Sequence, residues 1–386
     1  MEFTQEQMSE IISSITNGKE GFQHLIQLGL ESLMKSERDI FNEEHNDVSN
    51  GYRPRRICHN GKMFHLQVPR TRENNFYPML LGVLKDQEAE TQRLVCSLYS
   101  EGLTTSQIGR ISEEFYGRHY SKSQVSRLLD SAREDVSVWL NRQLELRYPI
   151  VYIDATYVTT RRGDAVANEA YYVVLGVKED RTRDVLTIFN SPTESAGNWA
   201  EIFSELKDRG LKEINLFVCD GLSGIENSIA QQFPKADVQL CTVHLKRNII
   251  NKIKPRDKKE IAAEMQKIFY PDQYQINPEI AFSNFKIFIA KWGKSYPALK
   301  KYKYDRYRYY FTYFKYEKEI RGMIYTTNWI ERLNRDFKRV LKMRGVMPNP
   351  NSVILLMANV AMNKDTYKYP IYNFLESDLF THEYLK

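Results

Sequence analysis

Apolar residues recur along the chain with two different periods, and the switches between them divide it. Up to about residue 50, Ile11, Ile12 and Ile15, then Leu25, Leu28 and Leu33, follow helical spacing and predict two amphipathic helices. Between 51 and 80, Gly51, Pro54, Gly61, Pro69 and Pro78 break any long element, and KMFHLQVPR alternates as a strand inside a loop-rich patch. Helical spacing returns at about 86–99, 104–115 and 121–138, with breaks at Glu101-Gly102-Leu103 and at 116–120. Thr104 or Thr105 can cap the second of these helices, and Ser121 with Gln124 three residues later has the form of a capping box for the third.

From 147 the period becomes that of strands. PIVYIDATYV, AYYVVLGVKED, RDVLTIFN and INLFVCD predict four, with a helix at about 196–209 between the third and fourth. A helix at about 222–233 and a short strand, VQLCTV, follow. The order β-β-β-α-β with strongly apolar strands implies an α/β domain built on a mixed sheet. Residues 244–325 read as mostly helical. TTNWIERLNRDFKRVLKMRG then forms one long helix, ended by Gly345 with Pro348 just beyond.

Charge sharpens this division. The net charge of the 386 residues is +6, but residues 1–50 hold 3 Lys and Arg against 10 Asp and Glu, and residues 245–346 hold 25 against 10. A concentrated basic segment points to a polyanionic partner. Within it, KKYKYDRYRYYFTYFKYEK interleaves Lys and Arg with Tyr and Phe, which suits stacking and phosphate pairing on nucleic acid. The same stretch also suits a helix that buries an aromatic stripe beneath extended lysines. The three helices at 86–138 have the layout of a helix-turn-helix reader, with Lys122, Ser123, Gln124 and Arg127 on the early turns of the third. An ordinary three-helix bundle has that layout too.

Other classes are set aside by composition. No apolar run reaches the length of a membrane span, and the acidic N-terminus lacks the form of a signal peptide. Cys58, Cys96, Cys219 and Cys241 form no Cys-x-x-Cys pair, against both a disulfide framework and an all-cysteine zinc site. The expectation is a protein of a reducing compartment. Tyrosine is abundant at 25 residues, yet no Arg/His constellation surrounds a single one as a tyrosine-type recombinase requires.

Two carboxylates stand in like contexts. Asp154 ends IVYID in the first strand and Asp220 ends LFVCD in the fourth. A charge at the end of a buried strand is costly unless paired or metal-bound. Turn formation and helix capping also place single aspartates there. If the two strands are neighbours, the carboxylates converge on one sheet edge, where hard oxygen donors suit Mg²⁺ or Mn²⁺. Two such ions, roughly 4 Å apart, serve phosphodiester chemistry. Glu331, on the helix after the basic segment, is the candidate third carboxylate.

These motifs resemble the Mutator-type transposases of bacterial insertion sequences. DGLSGIENSIAQQFPKADVQLCTVH matches the family signature, with Asp220, Gly224, Pro234, Ala236, Gln239, Cys241 and His244 in register; Gln232 departs from the small residue usual there. The likeness extends through NGYRPRR, LQVPRTR, YIDATYV and ESAGNWAEIFSELKDRGL, and on through TTNWIERLNRDFKR and MRGVMPNP, where Trp329 replaces a small residue. It implies a ribonuclease-H-like mixed-sheet core at 147–244 and 326–386 with a DDE triad of Asp154, Asp220 and Glu331. It also implies two Mg²⁺ or Mn²⁺ ions, and an all-helical insertion at 245–325. A helix-turn-helix DNA-binding region at 86–146 precedes the core, after acidic helices at 1–50 and a small segment at 51–85.

On this resemblance the protein binds the terminal inverted repeats of its element, cleaves their ends and joins them to target DNA. It works as a dimer, in a prokaryotic cytoplasm at the nucleoid. Cys241, His244 and Asn328 support the site; the Cys-x-x-His pair lacks a second half and is read as structural support or DNA contact near the scissile phosphate, not as a metal site, and a buried cysteine with a hydrogen-bonded histidine suits it equally. Lys246 and Arg247 are expected to contact DNA; Arg332, Arg335, Lys338 and Arg339, which follow Glu331 on its helix, are read as phosphate contacts, and the same placement also suits simple neutralisation of the glutamate. Trp199 is read as core. A DNA-binding protein without activity and a plain ribonuclease H are the alternatives.

Overall fold

The computed structural model describes residues 4–6, 9, 13, 21–59, 62–116, 120–191, 196–222, 224–270 and 277–372. They fall into two compact units, 1–131 and 132–386.

In the first unit, helix α1 (Gly21–His45) precedes a hairpin of β1 (Ser49–His59) and β2 (Lys62–Thr71). The second expected N-terminal helix is α1; the first falls mostly outside the described residues. Strand β1 is a correction, because NGYRPRRIC reads as loop. Pro54 is tolerated in a hairpin whose one face is buried: Ile57, Phe64, Leu66 and Val68 pack with Met34 of α1 and with Leu81 and Leu84. Side chains of α1 cover the outer edge of β2. Gln27 donates to the His65 carbonyl at 2.8 Å, and Glu31 accepts the Gln67 N–H at 2.8 Å.

Three helices follow: α2 (Met79–Ser100), α3 (Thr105–Tyr116) and α4 (Lys122–Leu128). Both expected caps form. Gln107 accepts the Thr104 N–H while Thr104 Oγ1 accepts that of Gln107, and Ser121 and Gln124 make a full capping box. Gly109 has a packing reason, since a Cβ there would lie 2.5 Å from the Tyr120 carbonyl oxygen. The third expected helix is two. The Leu129 N–H is shared between the Val125 and Ser126 carbonyls, which closes α4, and α5 (Asp130–Leu140) starts afresh.

The second unit is built on a five-stranded sheet of order β5-β4-β3-β6-β7. Its strands are β3 (Arg147–Arg162), β4 (Ala165–Val177), β5 (Arg183–Ser191), β6 (Glu213–Cys219) and β7 (Asp237–Leu240). β4 runs antiparallel to both β3 and β5, whereas β6 lies parallel to both β3 and β7. The mixed sheet expected from the apolar strands is present. Residues 147–154 of β3 are all buried, as a strand covered on both faces requires.

Alternation along the strands assigns the two faces. Tyr172, Phe189 and Phe217 meet α6 (Ala196–Asp208) through Trp199 and Phe203, and Trp199 is 3 % exposed, a core residue as expected. Tyr152 and Asp154 point the other way, toward α12 (Asn328–Lys342), with α13 (Pro350–Met362) beside it.

After α7 (Ile225–Gln232) and β7, the chain continues through α8 (Thr242–Ile250), α9 (Lys258–Phe269) and α10 (Pro278–Trp292). Two 3-10 stretches (Pro297–Lys303 and Asp305–Lys315) and α11 (Lys318–Ile324) lead back to α12. Phe269, Phe285 and Phe311 form a ring cluster with centroids 5.1 to 5.8 Å apart. The aromatic stretch therefore resolves mainly as core: Tyr302, Tyr310, Phe311, Tyr313 and Phe314 are buried, and Tyr304 is exposed. Among the described residues no helix is long and apolar enough to cross a membrane.

Candidate active site

The two aspartates are brought together by strand register. Ile153 of β3 pairs with Cys219, the last residue of β6. Asp154 and Asp220 are the next residues on each chain, so they lie side by side where β6 leaves the sheet while β3 continues. At Asp220 the backbone turns at once: its Oδ1 accepts the Gly221 N–H, and its carbonyl accepts that of Leu222, both at 2.7 Å.

The third carboxylate arrives from the far side of the helical segment. Thr242, opening α8, donates its N–H to the Tyr325 carbonyl at 3.0 Å and its hydroxyl to the same oxygen at 3.1 Å. Thr327 donates to Cys241 Sγ at 3.5 Å, and Tyr152 of β3 donates to the Met323 carbonyl at 2.9 Å. These bonds pin 323–327 to the sheet, so the first turn of α12 projects Glu331 toward α8.

His244, one turn into α8, is the meeting point. Its Nδ1 lies 3.5 Å from Asp220 Oδ1 and its Nε2 3.8 Å from Glu331 Oε1. Asp154 is joined from α12, where Asn334 donates Nδ2–H to Oδ2 at 2.8 Å. The expected triad and His244 thus form one cluster, with Cys241 one turn below.

Burial and charge shape this cluster. Asp154 is 8 % exposed, and burial pushes its carboxyl up to about 6 against the pull of its backbone bond, His244 and Asn334. Hydrogen bonding to Cys241 is the main influence raising His244 to about 9, and the charges of Asp220 and Asp154 act the same way. Burial alone would raise the Cys241 thiol, yet His244 holds it below the usual thiol range. An imidazolium facing three carboxylates leaves an excess of negative charge in a partly buried place. Hard oxygen donors with that excess fit a divalent cation in their chemistry. Among the described residues, no group of three His, Cys, Asp or Glu stands ready to hold an ion, and the imidazole itself fills the space between Asp220 and Glu331.

The remaining predicted residues are spread more widely. Asn328 is exposed at the start of α12, where its N–H bonds Thr326 Oγ1. Arg332, Arg335, Lys338 and Arg339 are exposed along α12, with Arg332 over the Trp329 ring at 5.0 Å. Arg247 is exposed, whereas Lys246 is half-buried, donates to the Tyr270 hydroxyl at 2.8 Å and lies over its ring. Lys122, Ser123 and Arg127 are exposed on α4, while Gln124 is engaged in the cap.

Asn334 is the site residue that sequence reading missed. Its signal was available: a polar residue inside the apolar stripe Ile330, Leu333, Phe337, three positions after Glu331 and so on its side of the helix.

A mixed sheet that gathers three carboxylates and a histidine at the exit of a parallel strand pair defines an α/β protein with an acidic site. The model of the family "Transposase, Mutator family" matches residues 4–370, and the chain belongs to that family. It is 33 % identical over 298 residues to the transposase of insertion sequence element IS1201 from Lactobacillus helveticus, covering 77 % of this chain and 79 % of that one. Over 357 residues it is 30 % identical to the ISRM3 transposase of Rhizobium meliloti, covering 90 % and 88 %. Over 324 residues it is 28 % identical to the IS256 transposase in transposon Tn4001 of Staphylococcus aureus, covering 83 % and 82 %. Among solved structures, the Drosophila P element transposase strand transfer complex aligns at 12 % identity, covering 73 % of this chain and 80 % of that one, at a TM-score of 0.31.

Proposed function

We propose that this transposase works through a ribonuclease-H-like core in which Asp154, Asp220 and Glu331 form a DDE triad. The observation that carries the reading is the convergence of three carboxylates, distant in sequence, on the one imidazole of His244 and the amide of Asn334. Two Mg²⁺ or Mn²⁺ ions held by the triad would activate the attacking oxygen and stabilise the leaving one in an in-line displacement.

The residues themselves position and balance charge. Asn334 holds the Asp154 carboxylate in one orientation. His244 offsets the carboxylates' mutual repulsion and must yield the space between Asp220 and Glu331 when they take up metal. Exposed Arg332, Arg335, Lys338 and Arg339 line the outward side of α12, where phosphates of a bound strand would be met. In the first displacement water attacks the phosphodiester at the element end and a 3′-OH leaves; in the second that hydroxyl attacks a target phosphodiester and displaces the target strand's 3′-oxygen, with no covalent enzyme intermediate. The helix-turn-helix at α3–α4 and the basic insertion hold the terminal inverted repeats, and two copies of the chain synapse the two ends.

The test is a strand-cleavage and joining assay on labelled element-end DNA, with wild type and Asp220→Ala, in Mg²⁺ and in EDTA. Metal-dependent nicking at the element boundary, lost in the variant, is the expected outcome; cleavage that survives substitution of each triad residue overturns the reading. A second reading, a DNA-binding protein without cleavage activity, is favoured by the space that His244 fills between two of the three carboxylates. Binding without nicking under every metal and DNA configuration would establish it.

A further inference from the structure

The β1–β2 hairpin carries a concentration of charge that the triad and α4 do not account for. Residues 49–72 hold Arg53, Arg55, Arg56, Lys62, Arg70 and Arg72 and no Asp or Glu. Among the described residues, none of the five arginines is paired with a carboxylate; the Nε atoms of Arg53 and Arg70 are buried without a hydrogen-bond partner. Arg55, Arg56 and Arg72 are exposed.

The hairpin is also held as a contact element would be. Its apolar face is buried, and α1 closes the edge of β2. That leaves the opposite face open. There Tyr52, Pro54 and Arg56 of β1 stand across from Pro69, Gln67 and His65 of β2; Arg56, His65 and Gln67 are exposed, and Tyr52, also exposed, has its ring against the Arg38 guanidinium of α1 at 5.4 Å. With 11 and 10 residues in its strands, the ribbon is about 33 Å long at a rise of ~3.3 Å per residue. That is close to one turn of B-form DNA, about 34 Å, whose major groove admits a two-stranded ribbon.

We infer that the β1–β2 hairpin is a second duplex-DNA contact in the first unit, separate from α4, with the exposed Arg55 and Arg72 on phosphates and Arg56 and Gln67 facing base edges. The inference rests on the transposase reading for the presence of DNA. Duplex is favoured over single strands because, among the described residues, the open face carries one Tyr, Phe or Trp side chain, Tyr52, where a single-strand surface uses several for stacking.

The experiment measures binding of the full chain to a fluorescein-labelled duplex of about 40 base pairs carrying an element end, across a salt series. Wild type is compared with Arg55→Gln/Arg56→Gln/Arg72→Gln, with the same three positions changed to Lys, and with Lys122→Gln/Arg127→Gln on α4. Each phosphate contact contributes about 0.9 to the slope of log K against log salt. The Gln triple variant should lose about 2 from that slope, the share of Arg55 and Arg72, and bind at least about tenfold more weakly in low salt, while the Lys variant keeps the slope. All three positions are exposed, and an unchanged thermal melt separates lost contact from lost fold. Unchanged slope and affinity in the Gln variant, or preference of the wild type for single-stranded DNA, overturns the inference while leaving the transposase reading in place. Failure of wild type to bind any duplex overturns both.

Discussion

Asn334 and Asp154, 180 residues apart in sequence, are joined by a 2.8 Å hydrogen bond in which the Asn334 amide donates to the carboxylate. Asn334 is 3 % exposed, so this donor is not replaced by water when it is removed. Burial already lifts Asp154 to about 6, and the Asn334 bond opposes that rise. Asn334→Ala should therefore raise the Asp154 pKa further. On the proposed triad, metal uptake needs the carboxylate ionised, so single-turnover cleavage should climb through a pH of about 6 in wild type and through a higher pH in the variant. Cleavage at neutral pH should fall about 10- to 100-fold, the loss typical where a group that orients a metal ligand is removed, with DNA affinity unchanged. An acid limb that stays in place would remove Asn334 from this role.

His244 makes a pH-dependent contribution to stability. Its folded pKa of about 9 lies above the ordinary 6.5, so the folded state holds the proton more tightly than the unfolded one. The stabilisation is fully present below pH 6.5 and is lost as pH rises through about 9. Thermal melts of metal-free wild type should decline across that window, and those of His244→Gln should decline less. Saturating Mg²⁺ should flatten the wild-type profile, because bound metal competes with the imidazolium for Asp220 and Glu331. Parallel profiles for the two proteins would count against the charge arrangement.

Much of the second unit is legible in residue pattern, for a physical reason. Strands buried on both faces need unbroken apolar runs, and those of β3, β4 and β6 are long enough to stand out. Asp154 and Asp220 stand out because they interrupt such runs. What stays hidden depends on partners far along the chain. β1 is a strand because β2 and α1 give its backbone and Ile57 somewhere to go, not because NGYRPRRIC has strand character. The end of α4 at Leu128 leaves no breaker residue to read. The paired bonds of Gln239 to the 3-10 stretch join residues more than 70 positions apart, and local spacing carries no trace of them.

Gln239 is itself a test of how the helical segment is fastened. The side chain is fully buried, accepting the Tyr313 N–H at 2.7 Å and donating to the Tyr310 carbonyl at 3.2 Å. Gln239→Ala leaves both backbone groups buried and unpaired, at a cost of about 1–3 kcal/mol each. The melting temperature should drop by several degrees, and limited proteolysis should open first within 297–315. Gln239→Leu, which keeps volume but not hydrogen bonds, should be nearly as destabilised. A stable, protease-resistant Leu variant would mean that packing alone fastens the segment.

The same 3-10 stretch reaches the acidic cluster through Tyr310, whose hydroxyl lies 2.7 Å from where a Cβ on Gly221 would be. Gly221 directly follows Asp220 and donates its N–H to that carboxylate, so anything that displaces Gly221 displaces Asp220. Tyr310 is 6 % exposed and has little room to retreat; burial, with the Asp220 charge adding, holds its hydroxyl protonated. Gly221→Ala should thus depress cleavage strongly while DNA binding persists. Tyr310→Phe removes the clashing oxygen and should be mild by itself. Combined with Gly221→Ala it should recover a large part of the lost activity, a non-additive result that contacting residues produce and independent ones do not. Additive losses in the double variant would show that Gly221 is needed for its backbone turn and not for the approach of Tyr310.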